Sequence, residues 1–324
     1  MRAVVIPRHG APDVLEVQDA ETPAVTDGHV LVRTEAMGLN FHDIIERRSG
    51  YPGNEPPVRA GLEGAGRIVA VPTSRPSESG LDIGQRVMWG AVPGSHADYV
   101  LVPMAQAIPI PDWLDGATAA AICSQGLTAH YLAYSLRPLG EGDTALVWAA
   151  AGGVGRYLTQ MLAGSGVRVI AAVSSAEKTE VARQAGAIAA CLNEGVDDQV
   201  RSATEGRGVD VVFDGVGAPT FDTSLSSLKP RGLFVSYGRA GGAIPPIAVE
   251  RLSGAGSISL IRPRLVDFIA TRDELLERAS SVIAMLRRGR IAARIDATYS
   301  LDNVSDAHRF LESRKAIGKV LLTP

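Results

Sequence analysis

Two glycine-bearing runs in this 324-residue sequence have the residue types and spacing to hold a charged ligand. The later one, AAAGGVG at 149–155, follows the apolar run TALVW directly and precedes GRYLTQMLAGSG directly. A strand that turns through such a loop into a helix leaves backbone N–H groups exposed at the helix start, with the helix dipole behind them. Gly152 has no Cβ to hold a pyrophosphate away, and Gly155 lets the helix pack close to the strand. Ala150 stands where the usual G-x-G-x-x-G has its first glycine, so the strand and helix on either side carry the nucleotide reading. The earlier run, AGLEGAGRIV at 60–69, has the same flavour. One nucleotide needs only one loop, and the earlier glycines are read as tight turns and close packing in a β-rich segment.

The next strand after the loop, VRVIAAV, ends at Val173 and is followed by Ser174, Ser175, Ala176, Glu177 and Lys178. No acid stands at the strand end to take the ribose hydroxyls. Two small hydroxyls and a lysine suit a 2′-phosphate, which an acid would repel, and this favours NADPH over NADH.

The elements that must position these residues fall into two textures. Through about residue 112 the chain gives short alternating runs bounded by Gly and Pro, such as HVLVRTEAMGL, GAGRIVAV, QRVMWG and ADYVLVP. They predict a compact β unit, a partly open barrel, with PTSRPSESG (72–80) as a polar surface loop. DGATAAAICSQGLTAHYLAYSL (115–136) predicts a buried helix capped by Asp115. Strict strand–helix alternation then runs through TALVWAA, VRVIAAV, KTEVARQAG, AIAACL, VDVVFDGVG and GLFVSYG, which implies a doubly wound parallel sheet. TRDELLERASSVIAMLRRG (271–289) reads as a helix opened by Thr271 with Glu274 and closed by Gly289. A strand near ARIDATYS, a helix through SDAHRFLESRK and a last strand GKVLLTP complete the chain.

Composition narrows the function classes. The net charge is −3 with no basic block, which gives nucleic-acid binding no support. Two cysteines, Cys123 and Cys191, lack CxxC spacing, so neither a disulfide framework nor a cysteine-built zinc site is expected. Cys123, in the Ala-rich helix, reads as core. MRAVVIPRHG turns to Pro and Gly too early for a signal peptide, and no apolar stretch reaches the roughly 20 residues of a membrane span. A reduced, cytoplasmic, enzyme-sized protein is expected.

The segments MGLNFHDI with SGYP, GLEGAGRIV, AAAGGVG, DGVG, PRGLFVSYG, SISLIRPRL and ESRKAIGKVLL together resemble the quinone oxidoreductase (zeta-crystallin-like) branch of the medium-chain dehydrogenase/reductase superfamily. The resemblance covers essentially the whole chain. It implies an α/β protein with a GroES-like β-rich barrel domain, 1–124 with 264–324, and a Rossmann nucleotide-binding domain, 125–263. Zinc alcohol dehydrogenases of the superfamily carry a cysteine where this chain has Asn40, and a G-H-E run where it has Gly61, Leu62 and Glu63. Catalytic zinc takes about three protein ligands, and two of those positions are non-ligands here. His9, His29, His42, His96, His130 and His308 show no ligand spacing, and the neighbours His42 and Asp43 diverge. Glu63 is assigned a structural ion pair or hydrogen bond. No zinc is expected.

Without a metal to stabilise an alkoxide, the acceptor must already be electrophilic, as quinones and α,β-unsaturated carbonyls are. Resemblance places Asn40 beside the nicotinamide, where it orients the cofactor or bonds an oxygen. It places Tyr51 at the mouth of the substrate cleft, as hydroxyl donor or stacking ring. A turn cap at Asn40 and a packing aromatic before Pro52 are the plainer readings. The same resemblance gives cofactor contacts at Thr128, Ala151, Gly152, Gly153, Val154, Ser174, Lys178, Val216, Tyr237, Gly238, Arg239, Leu260, Ile261, Arg262 and Arg314. Asn193 stands where many relatives place a tyrosine or histidine near the 2′-phosphate, which weakens the NADPH preference unless Arg239 and Arg314 compensate. The resulting expectation is NADPH-dependent, metal-free quinone reduction by a homodimer paired through an edge strand near GLFVSYG or SISLIR. Reduction of enones or enoyl thioesters is the enzymatic alternative, and a non-catalytic NADPH-binding structural protein the alternative of another class.

Overall fold

The structure is a computed structural model and describes residues 1–51, 53–72 and 80–324. Pro52 and most of the 72–80 loop expectation therefore lie outside the described residues. Two compact units emerge. The first comprises Met1–Leu127, Ile269–Ser281 and Ala293–Pro324, and the second Thr128–Phe268 with Val282–Ala292.

In the first unit, Ile295–Ser300, Lys319–Thr323, His29–Leu39, Gly64–Ala70, Arg86–Trp89 and Ile108–Pro109 lie side by side in one sheet, and Tyr99–Pro103 pairs with His29–Leu39. A small second sheet sets Arg2–Ile6 between Glu16–Asp19 and Val58–Arg59. Alternation explains the core: Val30, Val32, Ile68, Val87, Trp89, Val100 and Val102 all turn to one buried cluster. The AGLEGAGRIV run contributes most of the strand Gly64–Ala70, so Gly64 and Gly66 belong to the barrel sheet, while Gly61 turns before it at φ +92°.

Phe41–Ser49 forms a helix that the sequence reading does not include. The signals for it are all local. Asn40 is extended at the N-cap, Asp43 Oδ2 accepts from Asn40 N at 2.7 Å, and Gly50 closes the helix at φ +69°. Polar side chains hid its apolar stripe. Arg47, fully buried, donates to Gly10 O, Glu312 Oε1 and His308 Nδ1, which ties this helix to the helix Val304–Glu312.

The second unit is built on six parallel strands in the order Ala189–Leu192, Arg168–Val173, Thr144–Trp148, Val209–Asp214, Leu228–Ser236 and Ser259–Ile261. The order runs outward from Thr144–Trp148 in both directions, which is the doubly wound arrangement. Central strands are buried along their whole length and mostly apolar because helices cover both faces, as in Thr144–Trp148, where every residue is buried. Leu228–Ser236 has a partner on each side, so of the two segments considered for an edge only Ser259–Ile261 is one. The segment Val282–Ala292, which sequence reading had given to the barrel, is held in this unit. Arg156 Nη1 donates to Ala292 O at 2.7 Å and Ala292 N donates to Gln160 Oε1 at 3.2 Å.

The helix Gly116–Tyr134 begins at Asp115, whose Oδ1 accepts from Thr118 N at 2.8 Å. Thr271 and Glu274 exchange hydrogen bonds of 3.2 Å at the start of Arg272–Arg287, the reciprocal cap read from their spacing. No described helix is long and apolar enough to cross a membrane.

Candidate functional site

In the second unit the expected cofactor residues collect at the carboxyl ends of the parallel strands. The chain leaves Thr144–Trp148 through Ala149, in the left-handed region at φ 53°, and enters the helix Gly153–Gly164 with Gly152 extended at the N-cap. The first N–H groups of that helix have no intrahelical carbonyl to meet and point outward for an anion. A Cβ on Gly155 would overlap the Ala149 carbonyl oxygen, so only glycine lets the helix start this close to the strand. Ser174 lies exposed beyond Arg168–Val173, and Lys178 Nζ is 3.3 Å from its Oγ. Asn193 is exposed after Ala189–Leu192.

Val216 follows Val209–Asp214 in a loop organised by Asp214, a residue sequence reading passed over. Fully buried, Asp214 accepts from Val216 N at 2.7 Å, Gly217 N at 3.0 Å, Thr220 Oγ1 at 2.7 Å and Ser224 Oγ at 2.8 Å. An acid ending a buried strand just before Gly-Val-Gly was the available signal.

Tyr237, Gly238 and Arg239 follow Leu228–Ser236, and burial raises the Tyr237 phenol, which stays protonated. Leu260 and Ile261 lie in the edge strand, and Arg262 closes the row by donating to Ser236 O at 2.7 Å and Gly238 O at 2.9 Å. Six strand ends, a helix N-terminus and a lysine beside the Ser174 hydroxyl fit a phosphorylated dinucleotide. Thr128 lies in Gly116–Tyr134, and Arg314 belongs to the first unit with φ 59°.

The first unit brings together residues far apart in sequence. Asn40, Glu63, Ser124, Gln125 and Lys319 form one polar cluster among apolar strands. Asn40 Nδ2 donates to Glu63 Oε1 at 2.6 Å, and Ser124 N donates to Glu63 Oε2 at 2.8 Å. Lys319 Nζ donates to Glu63 Oε1 and, at 2.8 Å, to Asn40 Oδ1, which also accepts from Gln125 Nε2 at 3.2 Å. Glu63 and Lys319 are 0% and 2% exposed. Burial by itself pushes the Glu63 carboxyl up, but the Lys319 ammonium, the Asn40 amide and the Ser124 N–H outweigh it and hold the group ionised, below the usual range. Gly38 makes room, since a Cβ there would overlap Glu63 Oε1.

Glu63 thus takes the ion-pair role expected of it. Its partner Lys319 and the amide Gln125 were missed; a lone lysine opening the apolar strand Lys319–Thr323 was the signal. Tyr51 stacks on His42 with ring centroids 4.3 Å apart and planes 12° apart. Burial raises the Cys123 thiol well above its ordinary range, which suits core and not a nucleophile.

The comparisons with known proteins agree with this picture. Residues 26–112 match the alcohol dehydrogenase GroES-like domain family and 153–281 the zinc-binding dehydrogenase family. The second description invites a test of the donor set. Leu62 offers no ligand atom, the Asn40 amide is occupied, and the one carboxylate is committed to an ammonium. Among the described residues no group of three His, Cys, Asp or Glu could hold a metal. The residues do not fit zinc. A quinone oxidoreductase of Pseudomonas aeruginosa is 35% identical over 98% of this chain and 97% of its own, and a 2-haloacrylate reductase of a Burkholderia species is 33% identical over 99% and 98%. The structure of mycobacterial Rv1454c complexed with NADPH superposes with a TM-score of 0.96 at 38% identity, covering 100% of both chains. The barrel, the parallel sheet with its glycine loop and these full-length likenesses establish that the chain belongs to the quinone oxidoreductase family of the medium-chain dehydrogenase/reductase superfamily.

Proposed function

We propose that this oxidoreductase uses NADPH to reduce quinones without a metal ion. The observation that carries the reading is the Asn40 cluster, where a committed carboxylate, an amide and an ammonium stand in place of metal ligands. Residues 125–263 hold the nucleotide in this reading, and 1–124 with 264–324 serve the acceptor.

When bound, NADPH supplies a hydride, and a quinone that takes this hydride with one proton becomes a hydroquinone. The protein's part is binding and orientation. Backbone N–H groups of Gly153 and Val154 hold the pyrophosphate. Lys178 and Ser174 take the 2′-phosphate through charge-assisted hydrogen bonds, with Arg239 and Arg314 adding positive charge and Asn193 a neutral donor. Thr128, Ala151, Val216, Tyr237 and the Leu260–Arg262 turn shape the rest of the nucleotide site. Asn40 donates to the oxyanion that develops on the acceptor, and the Tyr51 ring offers a flat face to it. A quinone needs no stronger electrophile than these groups, because its negative charge delocalises as it forms.

The likeness to the 2-haloacrylate reductase supports a second reading, hydride addition to an activated C=C bond. NADPH consumption with 1,4-benzoquinone, 9,10-phenanthrenequinone, an enone and an enoyl thioester separates the two. Turnover of both quinones is expected. Fast turnover of the enone or thioester with no response to quinones overturns the first reading, and tight NADPH binding with no turnover at all favours the non-catalytic one. A homodimer paired through the edge strand Ser259–Ile261 completes the proposal, and light scattering in solution tests it.

A further inference from the structure

We propose that Lys319 is a positioning residue, whose buried ammonium, paired with Glu63, locks the Asn40 amide so that one N–H remains to donate to an oxygen of the bound acceptor. This rests on the role given to Asn40 above. The orientation follows from charge. Asn40 Oδ1 faces two donors, Lys319 Nζ at 2.8 Å and Gln125 Nε2 at 3.2 Å, while Nδ2 faces Glu63 Oε1 at 2.6 Å. A flipped amide would set N–H against an ammonium and a second N–H donor, and a carbonyl against a carboxylate. Lysine has donors only and a carboxylate acceptors only, so the pair reads the two ends of the amide in opposite senses. A neutral partner could satisfy either end.

The same contacts tune the donor. An ammonium on Oδ1 draws electron density from the amide nitrogen, and in a buried setting such hydrogen bonds reinforce one another. Nδ2 carries two N–H groups, of which Glu63 takes one. Gln125 is oriented in turn, because its Nε2 must donate to Asn40 Oδ1. Its buried Oε1 then has no hydrogen-bond partner among the described residues. The chain of contacts thus ends in a donor at Asn40 and an acceptor at Gln125, both set in direction by a cation at position 319. Ser124 N at 2.8 Å from Glu63 Oε2 fixes the far side of the carboxylate, so the ion pair itself does not swing.

The test uses the full chain with NADPH and 1,4-naphthoquinone, and compares Asn40→Ala, Glu63→Gln/Lys319→Met and the triple variant. The Glu63→Gln/Lys319→Met protein removes both charges together, which avoids leaving one buried alone. It is expected to lower kcat about ten- to a hundredfold through lost orientation. NADPH Kd, read by fluorescence, is expected to stay within about twofold, since no group on the nucleotide loop is altered. The triple variant is expected to match Asn40→Ala, because a lock has no effect once the amide is gone. Wild-type kcat in the double variant, or a triple variant that loses the product of both effects, overturns the proposal. If Asn40→Ala itself keeps wild-type kcat, the reading of Asn40 falls, a result distinguishable from the failure of Lys319 alone. Should the double variant not fold, Glu63→Gln/Lys319→Gln takes its place, again removing both charges together. Neutral amides at 63 and 319 accept either end of Asn40, kcat is expected to fall, and unchanged kcat in it overturns the proposal.

Discussion

The loop from Ala149 to Gly155 in the second unit and the Asn40 cluster in the first, the two parts of the proposed site, are built by opposite means. The loop from Ala149 to Gly155 uses backbone alone: a helix start, a left-handed alanine and a glycine that avoids a carbonyl. The cluster uses side chains from positions 40, 63, 125 and 319 with the backbone N–H of Ser124, gathered from the ends of three strands and from a helix and held by one buried ion pair. Backbone donors are neutral and cost little to bury when hydrogen-bonded or ligand-facing. A buried ion pair depends on both partners, and loss of either exposes the whole desolvation cost of the other. The cluster is therefore the more fragile of the two, and its defects affect folding as well as chemistry.

The largest effect expected from this contrast is on stability. Lys319→Met alone leaves Glu63 ionised and buried, and urea unfolding should show a loss of about 3–5 kcal/mol. Adding Glu63→Gln should restore most of it; no restoration would mean that the ammonium acts through packing rather than charge.

A second effect arises on the neighbouring helix. Burial, and then the charge of Asp43, raise the Glu46 carboxyl from 4.5 to about 7. A raised folded-state value means that the folded protein keeps a proton the unfolded chain has released. The corresponding stability is complete below about pH 4.5 and is lost as pH rises to about 7. Glu46→Gln, which keeps an acceptor for Asn54 Nδ2, should gain about 2–3 kcal/mol relative to wild type between pH 5 and pH 8. Parallel pH curves for the two proteins would remove Glu46 from the account.

The backbone-built site should respond less in stability and more in binding. Gly155→Ala forces the helix off the strand, with an expected loss of about 1–3 kcal/mol and weaker NADPH binding in titrations. A loss exceeding that of Lys319→Met would invert the comparison. Smallest, Lys178→Ala should raise the NADPH Kd about tenfold, roughly 1.4 kcal/mol, and leave NADH unchanged. Equal effects on both nucleotides would place Lys178 away from the 2′-phosphate.

The same contrast explains what could be read in advance. AAAGGVG was legible because strand, loop and helix are contiguous, and each glycine answers a local steric demand. Ser174, Val216 and Tyr237 were legible in kind, since each follows an apolar strand of a parallel sheet. The helix Phe41–Ser49 went unread because its second half, Glu46 to Ser49, is wholly polar, although Asn40, Asp43 and Gly50 marked its ends. Lys319 went unread for a deeper reason. Nothing near it in sequence carries the opposite charge it meets, and Glu63 lies 256 positions away. Asp214 falls between these cases, its partners being within ten positions but its burial unannounced.

Sequence by itself determined the two-part architecture, the glycine loop between strand and helix, and an amide at Asn40 beside an apolar side chain at Leu62. Those features depend on periodicity, on steric freedom and on which side chains carry donor atoms, all of which are local. Tertiary structure alone decided what Asn40 and Glu63 meet. Sheet pairing sets the start of Lys319–Thr323 against the end of His29–Leu39, with Val320 opposite Leu39. That register brings an ammonium to Asn40 and Glu63. Electrostatic partnership of this kind depends on distance in space, which a one-dimensional pattern of charges does not specify.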